Sequence, residues 1–140
     1  MLNLQLQATA EEVMRAVEAF RDFCQAHGVP ERTAFGLSVA LEECGSNIVN
    51  YALRGDARQT FALRVECTPE KISIELRDRG PEFDPTLAKE KPQGAPDDEP
   101  PGGWGIPLVR RYTDDFVYKR EAGQNILRFS RRLAAKAGSS

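Results

Sequence analysis

Between residues 61 and 76 the sequence alternates apolar and polar residues twice, and this double alternation strongly constrains the fold. Successive side chains of a strand point to opposite faces of a sheet, so each run presents one apolar face. A turn at Thr68-Pro69-Glu70 separates the runs, which predicts an antiparallel hairpin with one face in a core. The apolar members are Phe61, Leu63, Val65 and Cys67, then Ile72, Ile74 and Leu76.

Two segments with helical periodicity precede this hairpin and supply the cover that its apolar face requires. The first begins at Thr9-Ala10-Glu11-Glu12, which is typical of a capping box, and ends near His27-Gly28. The second has Pro30 in its first turn and ends near Arg54-Gly55-Asp56. Their apolar stripes are Val13, Ala16, Val17, Phe20 and Cys24 in the first, and Leu37, Leu41, Cys44, Ile48 and Ala52 in the second.

The remaining segments complete the order strand, two helices, hairpin, loop, helix and hairpin. Helices gathered on one face of a mostly antiparallel, mixed sheet make an α+β two-layer α/β sandwich. We expect one domain over residues 1–133, a long mobile loop at about 86–101 and a frayed tail at 134–140. The other predicted elements are a strand at 2–7, a helix at about 106–112 with Pro107 in its first turn, and a closing hairpin at 116–120 and 125–133 turned at 121–124.

Composition narrows the function classes. The chain has 140 residues and a formal net charge of −2, whereas nucleic-acid-binding domains usually carry a clustered basic excess. The first residues do not form a signal peptide, and no stretch reaches membrane-spanning length. Cys24, Cys44 and Cys67 lie in apolar-periodic segments without a C-x-x-C pair, which is typical of buried reduced thiols. We therefore expect a cytoplasmic protein without nucleic-acid or membrane partners.

Glu43 and Asn47 lie one helical turn apart on the second helix, so their side chains project next to each other. A carboxamide oxygen is a hard ligand suited to Mg²⁺, which keeps several waters and uses substrate phosphates for the rest of its shell. A neighbouring carboxylate can accept the proton of an attacking hydroxyl or water. Considered alone, an ordinary polar patch explains such a pair more often than a site does.

Two further features are also weak when each is considered alone. Asp78 and Gly80 follow the second strand of the hairpin, where a buried carboxylate can accept a purine N–H while the glycine leaves room for the ring. A plain turn is the commoner explanation. Glycines at 102, 103 and 105 precede a helical pattern, and unpaired N–H groups at a helix start can bind phosphate. Here too an ordinary turn is commoner.

The order and spacing of these features are more specific than any one of them. Together they resemble the three boxes of the GHKL ATPase superfamily and, more narrowly, the small anti-sigma-factor serine kinases. Leu41–Ala52 is similar to the N box, Asp78–Pro85 to the first glycine box and Gly102–Arg111 to the second. Gly123–Leu127 resembles the last hairpin of the family.

The resemblance implies the Bergerat ATP-binding fold, with ATP and Mg²⁺ as cofactors. It implies that Glu43 is the general base, that Asn47 contacts the nucleotide and binds Mg²⁺, and that Asp78 reads adenine. Residues 86–101 correspond to the ATP lid. The other implied nucleotide-binding positions are Gly80, Gly102, Gly103, Trp104, Gly105 and Ile106.

The resemblance also implies partners. In these kinases, phosphate passes from ATP to a serine of a small STAS-domain antagonist, and the kinase sequesters a sigma factor. A homodimer is expected, with strand 2–7 and the first helix as candidate surfaces. The alternative is a catalytically silent ATP-binding module whose nucleotide state sets partner affinity. A sensor histidine kinase is disfavoured, because the one histidine, His27, has no second helix beside it for a dimerisation hairpin.

The sequence departs from the family pattern at three points. Tyr51 stands where many members have histidine, and Trp104 is bulky for a phosphate loop. The glycine segment also lacks a lysine, so Mg²⁺, backbone N–H groups and an arginine such as Arg110 must balance the phosphate charge.

Overall fold

The computed structural model describes residues 1–87 and 102–133, with the backbone alone at 87 and 102–106. Most of the predicted lid at 86–101 and the whole tail at 134–140 lie outside the described residues. Within those ranges, no helix is long and apolar enough to cross a lipid bilayer. The elements are β1 (Leu2–Gln7), α1 (Ala10–Ala26), α2 (Glu31–Asn47), a π-helical turn (Ile48–Ala52), β2 (Thr60–Cys67), β3 (Lys71–Asp78), a 3₁₀ turn (Pro85–Leu87), α3 (Gly102–Tyr112), β4 (Asp115–Glu121) and β5 (Gln124–Arg132).

The five strands form one sheet in the order β1-β2-β3-β5-β4, and each neighbouring pair is antiparallel. The predicted α+β sandwich is therefore confirmed, and the described strands include no parallel pair. β2 and β3 place Leu63 opposite Leu76 and Phe61 opposite Asp78 on one face. That face is buried, whereas Arg64 and Glu66 on the other face are exposed. The two long helices cover the buried face only.

The apolar stripes predicted for the two long helices form the core. Every residue of both stripes is buried, from Val13 on α1 to Ala52 after α2. All the apolar members of the predicted β2–β3 hairpin are buried as well, except Cys67, which is partly exposed at the end of β2. Burial of apolar area is the main favourable term in folding, so these periodicities specify both the helices and their orientation.

Two predicted helix starts are wrong by a short distance. α3 begins at Gly102 rather than near Ile106, so the glycines belong to the helix. Pro107 therefore lies beyond the first turn, where its missing N–H leaves the Gly103 carbonyl without its intrahelical donor. Glycine disfavours helix, which is why the sequence suggested a loop there. Pro30 is the N-cap residue of α2 and not part of its first turn.

The start of α1 differs in one respect from the predicted capping box. Thr9 Oγ1 accepts a hydrogen bond from the Glu12 N–H at 3.1 Å, as expected. The Glu12 carboxylate accepts instead from the Gln7 N–H at 3.1 Å, because the Thr9 N–H already donates to the Gln7 carbonyl. Arg15 donates to the Gln5 carbonyl at 3.2 Å. Glu12 and Arg15 thus form hydrogen bonds with backbone groups near the end of β1.

The closing hairpin turns through two residues. Glu121 and Gln124 pair at the ends of β4 and β5, which leaves Ala122 and Gly123 as the turn. Their φ angles are 53° and 77°. Two successive left-handed residues are the mark of a type I′ turn, which matches the twist of the flanking strands. Ala122 is strained in this conformation because its Cβ approaches the following carbonyl.

We expect Ala122→Asn to raise the free energy of unfolding by about 1 kcal/mol, since asparagine tolerates left-handed angles and Asn-Gly favours this turn. Urea denaturation measures the change. Ala26→Asn, at an exposed position in the last turn of α1, is the matched control and should lower stability. An Ala122→Asn variant less stable than wild type would contradict the assignment of the turn.

Candidate functional site

Two segments meet at one end of the sheet, the turn that follows α2 and the loop that follows β3. A Cβ placed on Gly80 would lie 2.5 Å from the Ala52 carbonyl oxygen. Gly80 therefore packs on backbone, which is a more direct reason for a glycine than room for a purine ring. Because Ala52 continues the helix that carries Asn47, this contact places the end of β3 next to the end of α2.

Asp78 is the buried carboxylate of the site. It is 4% exposed and lies on the core face of β3, opposite Phe61. Its Oδ1 accepts hydrogen bonds from the Gly80 N–H at 2.8 Å and from Asn125 Nδ2 at 2.9 Å. Burial raises the pKa of Asp78, and these hydrogen bonds and the charge of Arg120 partly offset that effect. Both described hydrogen bonds use Oδ1, so Oδ2 is left for a ligand.

Asn125 holds this carboxylate, and the sequence did not identify it as a site residue. It is 4% exposed and pairs with Asp78 across β3 and β5. Besides Asp78, its Nδ2 donates to the Pro81 carbonyl at 2.8 Å, and its Oδ1 accepts from the Phe83 N–H at 3.1 Å. One carboxamide thus fixes both Asp78 and the backbone of the loop after β3. Its position gave a signal, because Leu127 and Phe129 put Asn125 on the inward face.

Two β4 residues complete this network. Tyr118 donates its hydroxyl to Asn125 Oδ1 at 2.6 Å. Arg120 donates from Nη1 to the same oxygen at 3.1 Å and to the Gly80 carbonyl at 2.7 Å. Because Asn125 Oδ1 accepts three donors and its Nδ2 uses both protons, the carboxamide orientation is determined. The loop is therefore held from three strands.

Asn125→Ala should lower the free energy of unfolding by about 2–4 kcal/mol, because it leaves several buried groups without partners. Urea denaturation tests this. Ser130→Ala on the same strand is the matched control, since Ser130 is also 4% exposed but its hydroxyl bonds only Asp115 among the described residues. Equal losses in the two variants would contradict the role assigned to Asn125.

Glu43 is a carboxylate without a partner. It is half-buried on α2, and no described residue forms an ion pair or hydrogen bond with it. Burial raises the pKa of Glu43 above its ordinary value, and the nearby negative charge of Glu42 raises it further. A carboxylate with a raised pKa is a better proton acceptor, so the chemistry of this side chain suits a general base. Glu42, the preceding residue, is exposed.

The raised pKa of Glu43 predicts a loss of folding stability that depends on pH. The folded state holds this proton more tightly than the unfolded chain, so wild-type stability falls as pH rises through the two pKa values. Glu43→Gln removes that loss. The variant should have a higher thermal midpoint than wild type near neutral pH. Below the ordinary carboxyl pKa of about 4.3, the two midpoints should no longer differ in this way.

Glu18→Gln, on the exposed side of α1, is the control and should show no such pH-dependent gain. Thermal unfolding of the three proteins at both pH values is the measurement. A Glu43→Gln variant that is less stable than wild type at neutral pH would contradict the unpaired, desolvated state of this carboxylate.

Asn47 is a buried amide with an unsatisfied atom. It is 3% exposed, and its Nδ2 has no hydrogen-bond partner among the described residues. The oxygen and nitrogen of a carboxamide exchange by a half-turn of the side chain, so either can face a ligand. An orphaned polar atom at this depth fits a group that a ligand completes.

The described residues fit Mg²⁺ only as an ion that shares its shell with a substrate. Within residues 1–87 and 102–133, no group of three or more His, Cys, Asp or Glu side chains is placed to hold a metal. A single amide oxygen suits Mg²⁺ in this way, because the ion keeps several waters and takes phosphate oxygens of a substrate as further ligands.

The predicted phosphate segment lies at the start of α3. Gly102, Gly103 and Gly105 belong to its first turn, where helix N–H groups are unpaired. The side chains of Trp104 and Ile106 lie outside the described part. Arg110, suggested by the sequence as a phosphate partner, instead donates to the Thr86 carbonyl at 2.5 Å and lies 5.3 Å from the centre of the Phe116 ring. This arginine joins α3 to the 3₁₀ turn.

The cysteines and the histidine take no part in this site. Cys24 and Cys44 are buried and Cys67 is partly buried, and all three are free thiols. Burial raises the pKa of Cys24 to about 12, which disfavours the thiolate. His27 caps α1, and its ring stacks on Phe23 with 4.0 Å between centroids, as expected of a helix-end residue.

Comparison with known proteins decides the family. The model of the histidine kinase-like ATPase domain matches residues 6–131. The chain belongs to this family. The resemblance drawn from the three motifs is thereby confirmed, and membership makes the chain an ATPase-type nucleotide-binding domain. The chain is also 29% identical over 126 residues to the serine/threonine-protein kinase BtrW of Bordetella bronchiseptica, and the match covers 89% of each protein.

Three solved structures share the fold of this chain. The RsbU and RsbW domains of Rv1364c from Mycobacterium tuberculosis align with a TM-score of 0.62 and 15% identity, covering 95% of this chain and 33% of that one. The SiaB–SiaC complex from Pseudomonas aeruginosa gives 0.60 and 12%, covering 95% and 90%. The histidine kinase domain from Erythrobacter litoralis EL346 gives 0.54 and 15%, covering 94% and 64%. At these identities the likeness concerns fold alone.

Proposed function

We propose that the chain is a Mg-ATP-dependent serine/threonine kinase that phosphorylates a STAS-domain antagonist and sequesters a sigma factor. The observation that carries the proposal is that Glu43 and Asn47 lie one turn apart on α2. Glu43 is a desolvated carboxylate and Asn47 a buried amide, and no residue in the described part of the chain bonds the Glu43 carboxylate or Asn47 Nδ2. A domain that only bound nucleotide would have no need for an unpaired base beside the metal ligand.

The base of the nucleotide would be read by Asp78. Its free Oδ2 can accept a hydrogen bond from the 6-amino group of adenine, while Asn125 and Gly80 hold Oδ1. A carboxylate fixed by two donors is preorganised, so little ordering cost remains when the nucleotide binds. The triphosphate would then extend toward the start of α3, where Gly102, Gly103 and Gly105 present N–H groups.

Phosphoryl transfer would need one proton acceptor from the chain. Glu43 would accept the proton of the serine hydroxyl while the serine oxygen bonds to the γ-phosphorus. The bond from that phosphorus to the β,γ-bridging oxygen would break in the same step, which would release ADP. The Asn47 oxygen would hold Mg²⁺, and the metal would neutralise charge on the phosphates. Most of the rate acceleration in such a transfer comes from positioning the attacking serine oxygen and the leaving phosphate oxygen. Glu43 would add to it as a proton acceptor with a raised pKa.

One relative supports the kinase assignment, because BtrW is named a serine/threonine-protein kinase. By analogy with the anti-sigma-factor kinases that the three motifs resemble, we assign the chain a sigma factor and a STAS-domain antagonist as alternative partners, in a homodimer and in the cytoplasm. β1 and α1 are the dimer surface that we propose, and Met1 and Met14 on these segments are 61% and 47% exposed.

The test is transfer of labelled phosphate from Mg-ATP to a STAS-domain protein, with its serine-to-alanine form as a blank. We expect Glu43→Ala to reduce transfer by about 10²–10⁴-fold while ADP binding persists. Glu70→Gln, which changes an exposed carboxylate in the turn between β2 and β3, is the control and should transfer normally. Binding of ATP without any transfer by the wild type would favour the silent-module alternative and overturn the kinase assignment.

A further inference from the structure

Two exposed side chains and one half-buried side chain form an apolar surface on α2 and α3. Phe35 and Leu108 are 50% and 41% exposed. The ring of Tyr112 meets that of Phe35 edge-on, with 6.4 Å between centroids. Leu108 lies one turn before Tyr112 on α3, so the three side chains are contiguous. We call Phe35, Leu108 and Tyr112 the helix patch.

The helix patch is held rigidly from below. A Cβ placed on Gly36 would lie 2.7 Å from Tyr112 Cδ1, so the tyrosine ring rests directly on the α2 backbone. Val109, next to Leu108, is fully buried between the helices. Aromatic and apolar groups presented on a rigid base lose little entropy when a partner covers them, and such groups dominate binding energy at interfaces.

The helix patch leads to the candidate site along both helices. On α2, Phe35 and Glu42 are seven residues apart. Their side chains therefore project within about 20° of each other around the helix, and they are separated by about 10 Å along its axis. Glu43 is the next residue. On α3, Leu108 lies about 9 Å from Gly102, where the phosphate segment begins. A protein seated on the patch therefore reaches the place where the γ-phosphate would be transferred.

Two arginines flank the helix patch. Arg32 precedes Phe35 by three residues and Arg111 follows Leu108 by three, and both are exposed. No described residue pairs with either guanidinium. An apolar centre with an unpaired basic rim complements an apolar spot surrounded by carboxylates on a partner protein. A kinase that acts on a protein needs such a surface near its phosphates, whereas an ATPase that acts on water does not.

We propose that the helix patch, with Arg32 and Arg111 at its rim, docks the protein that accepts the phosphate. This inference rests on the proposed kinase function and specifies which surface recognises the acceptor. The acceptor is recognised through an acidic-rimmed apolar spot, and its serine is presented to Glu43 from the α2–α3 side. The opposite, uncovered face of the sheet takes no part.

The experiment compares the steady-state kinetics of Phe35→Ser and Leu108→Ser with wild type, using the STAS-domain acceptor and Mg-ATP. We expect KM for the acceptor to rise about tenfold or more, with kcat at saturation and KM for ATP within about twofold of wild type. Val117→Ser is the matched control, since this apolar side chain is 56% exposed on β4. Arg111→Glu should raise the same KM and reduce its dependence on salt.

Each other outcome overturns the inference. Unchanged acceptor KM in both patch variants removes the docking role, and so does an equal rise in the control variant Val117→Ser. A change in the mass of the protein in solution without a change in KM would assign the patch to self-association. ADP binding and thermal midpoints show that the variants are folded, and Arg111→Glu tests the rim if Phe35→Ser unfolds. A wild type that binds ADP but transfers no phosphate defeats the kinase proposal first, and the docking role with it.

Discussion

The site depends on one side-chain contact across the sheet, the hydrogen bond from Asn125 Nδ2 to Asp78 Oδ1 at 2.9 Å. Asn125 is the residue at which three parts of the molecule are joined: β3 through Asp78, the following loop through Pro81 and Phe83, and β4 through Tyr118. A buried amide is held in one orientation when its donors and its acceptor all have hydrogen-bond partners. It therefore also fixes the orientation of the carboxylate that it bonds. The free oxygen of Asp78 is directed by this network.

The α2 side of the site differs from the Asp78 side in its hydrogen bonding. Around Asp78 one carboxylate oxygen and the Asn125 amide have hydrogen-bond partners, whereas no described residue bonds the Asn47 nitrogen or the Glu43 carboxylate. Leaving such groups unpaired costs free energy, and natural proteins accept local violations of this kind at functional sites. We propose that a nucleotide bound between the end of β3 and α2 explains both the ordered hydrogen bonds around Asp78 and the missing ones on α2. The membership of the histidine kinase-like ATPase family agrees with this explanation.

Much of the fold was predictable, because alternation and helical stripes report which side chains must leave water. The stripe from Leu37 to Ala52 and the hairpin from Phe61 to Leu76 are buried as predicted. The start of α3 was missed because glycine propensity opposes helix at residues whose packing the sequence does not show. Asn125 was missed because its role arises from pairing with a strand 47 positions earlier, and such separation is not visible in local patterns. Motif order could nominate Glu43, Asn47 and Asp78 but not their hydrogen-bond states.

The central claim is that Asn125 and Gly80 occupy one oxygen of Asp78, so that the other reads the adenine amino group. In Asp78→Asn the same two donors would hold the carboxamide oxygen, and its NH₂ would face the ligand as a donor. Titration calorimetry with ADP and inosine diphosphate tests this, because the second nucleotide has an acceptor oxygen where adenine has its amino group. Wild type should prefer ADP by about tenfold or more, and Asp78→Asn should reverse or abolish that preference. An Asp78→Asn variant that keeps the wild-type preference for ADP would contradict the account.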